Sequence, residues 1–155
     1  MPIKRFKDET NVMGKWKIKC RNKKFYFHCF LWRDRKSFEE NTLDNKPYKS
    51  TACVNLSPTI LIFTKGQKKP QKVVYPKLGE IHFISGKWDM EVVAHELCHT
   101  LIHRLRMIKP SAKSVIEQIK NNEEDICYEF GAWVSEIYKK LWEIDKPKGW
   151  KKVKA

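Results

Sequence analysis

The chain has 155 residues, enough to bury one core without disulfide or metal staples, and its 41% hydrophobic and 12% aromatic content excludes a disordered polymer. Its 32 Lys and Arg against 18 Asp and Glu give a formal charge of +14, which suits nucleic acid, an anionic surface or an acidic protein; a Lys-rich soluble surface explains it equally well. No apolar run reaches the ~18–20 residues that cross a bilayer, and an odd set of five Cys without a C-x-x-C pair, behind a start lacking a secretory leader, points to a reducing, cytoplasmic setting.

One domain over residues 1–155 is expected, β-rich at 12–86, helical at 87–145, with a basic tail at 146–155. Trp16, Ile18 and Cys20 alternate with Lys17, Lys19 and Arg21, the period of a half-buried strand. The polar turn Arg21-Asn22-Lys23-Lys24 leads to a second strand from Phe25 to Trp32, so the two form a hairpin. Asp34 to Thr42 reads as a short helix or an excursion. Ala52 to Leu56, Thr59 to Thr64 and Gly79 to Ile84 read as further strands, with a basic turn at Lys65 to Pro70. Asp89 is placed to cap a helix running to about Arg106, stopped by Lys109-Pro110. Ser111 can cap a second helix through Lys120, and a third runs from Asn122 to Ile144. Strands first and helices after predict an α+β fold, an N-terminal antiparallel sheet followed by helices.

The first of these helices carries His95-Glu96-Leu97-Cys98-His99, the pattern H-E-x-x-H. Residues four apart lie one turn apart on one helix face, so His95 and His99 can hold one zinc ion while Glu96 serves as general base to an activated water. Burying two imidazoles and a carboxylate on an apolar helix without shared purpose is costly, which favours a metal over two core histidines. A third ligand is needed. His103 lies two turns from His95, and Leu105 stands where a metzincin has its third His, so a carboxylate is expected. Glu123 shares a face with Ile126, Phe130 and Ile137; Glu124 lines up with Cys127, Gly131 and Ser135, a small-residue seam along which two helices can approach. Spacing leaves the two open.

The run Ala94-His95-Glu96-Leu97-Cys98-His99-Thr100-Leu101-Ile102-His103-Arg104 resembles the A-H-E-L-G-H-x-L-L-H-R helix of the ImmA/IrrE zincin-like metallopeptidases. Glu124-Asp125-Ile126-Cys127-Tyr128-Glu129-Phe130-Gly131 resembles that family's following E-x-x-A/C-N-x-F-A helix. Cys98, Tyr128 and Gly131 depart from the usual Gly, Asn and Ala, and the first 75 residues match nothing in the family. The resemblance implies a zincin-like fold, Zn2+ held by His95, His99 and Glu124, and a regulatory protease that cuts a repressor or other regulatory protein. A second similarity is to SprT-like proteases that act near DNA and carry H-E-x-C-H, although their later His ligand has no counterpart here. The alternative to a protein-cutting enzyme is a non-catalytic zincin-like protein that binds nucleic acid or a regulator.

Other residues carry less. The strand Glu80 to Ile84 is expected to be an edge along which an extended peptide substrate pairs. Tyr128 and His103 are candidate oxyanion donors, with packing and surface roles as plain alternatives. His82 should face away from Ile81 and Phe83. Cys98 and Cys127 read as small packing residues before soft zinc ligands. Trp16, Phe25, Phe27, Phe30 and Trp32 interleave with Lys and Arg, which describes sheet packing better than a nucleic-acid platform.

Overall fold

Period-2 alternation, aromatic and β-branched residues and amphipathic helical stretches organise the chain as seen in the computed structural model, which describes residues 10–21, 24–42, 51–57, 60–62, 65–66, 68–69, 71–73, 76–108 and 112–147. Strands β1 (Val12–Lys19) and β2 (Tyr26–Trp32) form the expected antiparallel hairpin, closed by Cys20 N–H donating to the Phe25 carbonyl at 2.9 Å. Helix α1 (Arg35–Asn41) follows. Asp34 caps it, accepting from Ser37 N–H at 2.8 Å, which the backbone-bonding capacity of Asp makes favourable. Strands β3 (Ala52–Leu56) and β6 (Lys77–Ile84) complete a sheet of order β1-β2-β6-β3. Between them, β4 (Ile60–Ile62) and β5 (Gln71–Val73) pair as a separate two-stranded ribbon, of which β5 was not expected.

The main sheet is mixed, which corrects the antiparallel expectation: β2 and β6 run parallel, while β1–β2 and β3–β6 are antiparallel. It also corrects the placement of β6. That strand lies between β2 and β3, so its backbone groups are engaged on both sides and it cannot be the edge that receives a peptide. Its run of buried residues (Leu78, Ile81, His82, Phe83, Ile84) is what a strand covered on both faces requires. Gly79 is obligatory there: at φ 156° a Cβ would stand 2.4 Å from the Asn55 carbonyl oxygen of β3.

Helices α2 (Met90–Ile108), α3 (Ala112–Asn121) and α4 (Glu123–Ile144) fall within a few residues of their predicted limits. Lys109-Pro110, Ser111 and the tail beyond Pro147 lie outside the described residues, as do parts of the turns at 22–23 and 67–70. Asp89 caps α2 as expected, accepting from Val92 N–H at 2.8 Å. The main core lies between one sheet face and α2 and α4, where Ile18, Phe27, Cys29, Leu31, Ile81 and Phe83 meet Val93, Leu97, Trp133, Ile137 and Leu141. The other sheet face bears a smaller cluster, Phe30, Trp32, Phe38 and Ile84, under α1. His82 is on that second face, opposite Ile81 and Phe83 as alternation predicts, and accepts from Trp32 Nε1 at 3.0 Å. Among the described residues, no helix is long and apolar enough to cross a membrane.

Candidate metal centre

Helix α2 buries the stripe Val93, Leu97, Thr100, Arg104 and Met107, whose spacing of three and four residues gives one inward face. His95 and His99 lie on the opposite side and are exposed, together with Cys98, Ile102 and Arg106. Glu96, one helical step from His95, is turned inward and is 8% exposed. The expectation that both imidazoles are buried is therefore corrected; the apolar stripe claims the inner face and carries the carboxylate with it.

The two rings converge. Their Nε2 atoms are 3.3 Å apart, with ring centroids at 5.0 Å and planes at 75°. Two imidazole lone pairs cannot aim into one gap without a proton or a cation between them. Zinc–nitrogen bonds of 2.0–2.1 Å in a tetrahedral array set an N···N edge of about 3.3–3.4 Å. The pair therefore fits two adjacent corners of a zinc site.

The third corner is not supplied in this arrangement. Glu123 and Glu124 are both exposed in the first turn of α4. Helices α2 and α4 run antiparallel: Arg104, late in α2, pairs with Glu129, early in α4, while Trp88 before α2 meets Tyr138 and Trp142 late in α4. Glu124 and His99 lie five residues beyond that ion pair in opposite directions, about 15 Å apart along the axes at 1.5 Å per residue. Among the described residues, no group of three or more His, Cys, Asp and Glu is placed to hold a metal. The seam of Glu124, Cys127, Gly131 and Ser135 is exposed, and a Cβ on Gly131 would meet nothing within 4 Å, so no helix among the described residues packs on it. Cys98 and Cys127 are likewise exposed thiols, not packing residues, and Tyr128 is 70% exposed. His103 donates to the Ser57 backbone, and its pKa is lowered, first by burial and then by Arg106 against the effect of that bond.

Sequence reasoning passed over Glu129 and Arg104. Glu129 is 7% exposed, accepts from Arg21 N–H at 2.5 Å and pairs with Arg104, itself 8% exposed. The Arg104 guanidinium also lies 5.2 Å from the Trp133 ring centroid and bonds the Cys20 thiol, whose pKa is raised by burial in spite of that bond. The signal was present: Glu129 shares its helix face with Trp133, Ile137 and Leu141, and a carboxylate on an apolar stripe requires a buried partner. No protein-family model, curated protein or solved structure matches the chain.

Proposed function

We propose that the chain is a zinc-dependent peptidase of the H-E-x-x-H type, with His95 and His99 as metal ligands and Glu96 as general base. The observation that carries this reading is the 3.3 Å approach of the two Nε2 atoms one helical turn apart, with Glu96 in the intervening turn. Zinc, when bound, supplies Lewis acidity that polarises a carbonyl and makes water acidic near neutral pH. His95 and His99 fix its place from a helix that Asp89 caps and the core anchors, so they need little reorganisation to bind. Glu96 can take a proton from water and return it to a leaving amine. A zincin-like arrangement and a regulatory protein substrate extend the proposal on the resemblance to ImmA/IrrE proteins; Glu124 as third ligand rests on that resemblance alone and stands against its axial separation of about 15 Å from His99.

Metal content of the purified chain and hydrolysis of a mixed peptide library test this. His95→Ala and His99→Ala should each lose zinc. Glu96→Gln should keep it and lose about 10²–10⁴-fold in rate, the usual weight of a general base. Zinc retained by Glu124→Ala would remove that residue from the site without touching the pair. Hydrolysis unaltered in Glu96→Gln would end the peptidase reading. The exposure of both imidazoles favours one rival, a metal-holding binding protein; stoichiometric zinc with no hydrolysis of any peptide is its signature.

A further inference from the structure

The sheet face that carries α1 is only half covered by that helix. Along β2 the residues on this face are Trp32, Phe30, His28 and Tyr26; the first two are buried with Phe38 of α1, and the last two are partly exposed. Beside them the register sets Lys15 opposite Phe30, Lys17 opposite His28 and Lys19 opposite Tyr26, all three lysines exposed on β1. Lys17 Nζ sits 3.9 Å from the centre of the Tyr26 ring, Lys15 Nζ lies 5.2 Å from that of Phe30, and the Tyr26 and His28 rings are 5.5 Å apart. The acidic residue of β6 on this side, Glu80, is engaged by Lys77 at 3.0 Å.

We infer that this strip, Tyr26 and His28 bordered by Lys15, Lys17 and Lys19, binds single-stranded nucleic acid. The row of lysines follows the edge strand at alternate residues, a spacing of about 6.6–6.8 Å, which matches a phosphate backbone laid along it. A cation held against the face of Tyr26 marks an accessible π surface that a base can take over, releasing the Lys17 ammonium to a phosphate. His28 presents a second ring, kept neutral near pH 7 because its pKa falls to about 4, through burial first and then the field of Lys77, Lys15 and Lys17. That same field concentrates a polyanion here. Edge lysines also deter strand-to-strand aggregation, but that task needs no aromatic row beside them. Duplexes fit less well, because stacking on Tyr26 requires an unpaired base.

The test is fluorescence anisotropy of a labelled 20-nucleotide single strand, DNA and RNA in turn, between 50 and 300 mM NaCl. Lys15→Ala/Lys17→Ala/Lys19→Ala should lower the slope of log affinity against log salt by about 2, at roughly 0.7 per phosphate contact. Tyr26→Leu should weaken binding about 5- to 100-fold at fixed salt, and Tyr26→Phe should restore it. The control removes three exposed lysines elsewhere, Lys113, Lys120 and Lys139, and should leave the slope near that of the wild type. No binding at 50 mM salt would overturn the inference. An equal loss in the control triple would also overturn it, since binding would then be diffuse charge. Preference for duplex with no effect of Tyr26→Leu, or equal strip-dependent binding to vesicles rich in anionic lipid, would do the same. Circular dichroism of each variant separates lost binding from lost fold.

Discussion

His82 is fully buried among Phe30, Trp32 and Cys53 on the α1 face, and its pKa is lowered to about 3, by burial first and by Lys77 second. Trp32 Nε1 donates to its Nδ1, so the folded core holds the neutral tautomer and protonation of that nitrogen would break the bond. A folded pKa below the ordinary value of 6.5 means that the unfolded chain takes up a proton the core refuses. Stability from this residue is therefore whole above about pH 6.5 and declines as pH falls towards 3, at about 1.4 kcal/mol per unit. Urea unfolding at pH 7, 6, 5 and 4 should show that loss, and His82→Gln, which keeps an acceptor for Trp32, should reduce it, leaving the smaller part that the more exposed His28 contributes through its own lowered pKa. Identical slopes in both proteins would place the acid sensitivity elsewhere. The Arg104–Glu129 pair gives a second expectation at this scale. Both partners are buried, so Glu129→Ala leaves an uncompensated guanidinium and should cost about 3–5 kcal/mol. The double change Arg104→Met/Glu129→Leu should cost clearly less, as measured by denaturant midpoints; equal losses would show that the two do not act as a pair.

Among elements, the start of α2 and the end of α4 are joined through one carboxylate. Asp145 accepts from Ser85 Oγ at 2.8 Å, Gly86 N–H at 2.9 Å and Trp88 Nε1 at 2.7 Å, so the turn that aims the H-E-x-x-H helix is tied to the last turn of α4. Asp145→Ala should lower stability by about 2–4 kcal/mol, given partly exposed hydrogen bonds to a charged group, and, if the proposed zinc site is right, should weaken metal binding indirectly. Unchanged stability would mean that the apolar contacts of α2 alone hold it. Local pattern made the hairpin, the Asp34 and Asp89 caps and the three long helices legible, because each depends on residues within a few positions. Strand order was not legible. The parallel pairing of β2 with β6 joins segments about 50 residues apart, and the alternating Ile81, His82 and Phe83 suits an interior strand as well as an edge. For the site, H-E-x-x-H gave the convergence of His95 and His99, since helical periodicity alone decides it. The same sequence misled on burial, because Val93, Leu97 and Arg104 outweigh the histidines in choosing which face turns inward. The approach of an acidic residue from α4 depends on helix–helix register, which the Arg104–Glu129 pair sets and no spacing along the chain encodes.

At the scale of the whole molecule, the +14 charge acts against compactness as well as for binding. The described ion pairs at the surface, such as Arg21 with Asp125 and Arg35 with Glu39, join exposed or half-exposed groups and each contributes little. The pair that matters most, Arg104 with Glu129, is buried and poorly screened. Added salt should therefore weaken repulsion among the lysines more than it weakens attraction, because the Debye length shrinks from about 30 Å at 0.01 M to about 3 Å at 1 M. We expect the thermal midpoint to rise by roughly 2–4 °C between 20 and 500 mM NaCl, the change that about 1 kcal/mol produces in a domain of this size. Lys15→Glu/Lys17→Glu/Lys19→Glu removes six units of charge from one edge and should reproduce part of that rise at low salt. A midpoint that falls with salt would mean that the ion pairs, not the unbalanced lysines, govern the long-range electrostatics of the fold.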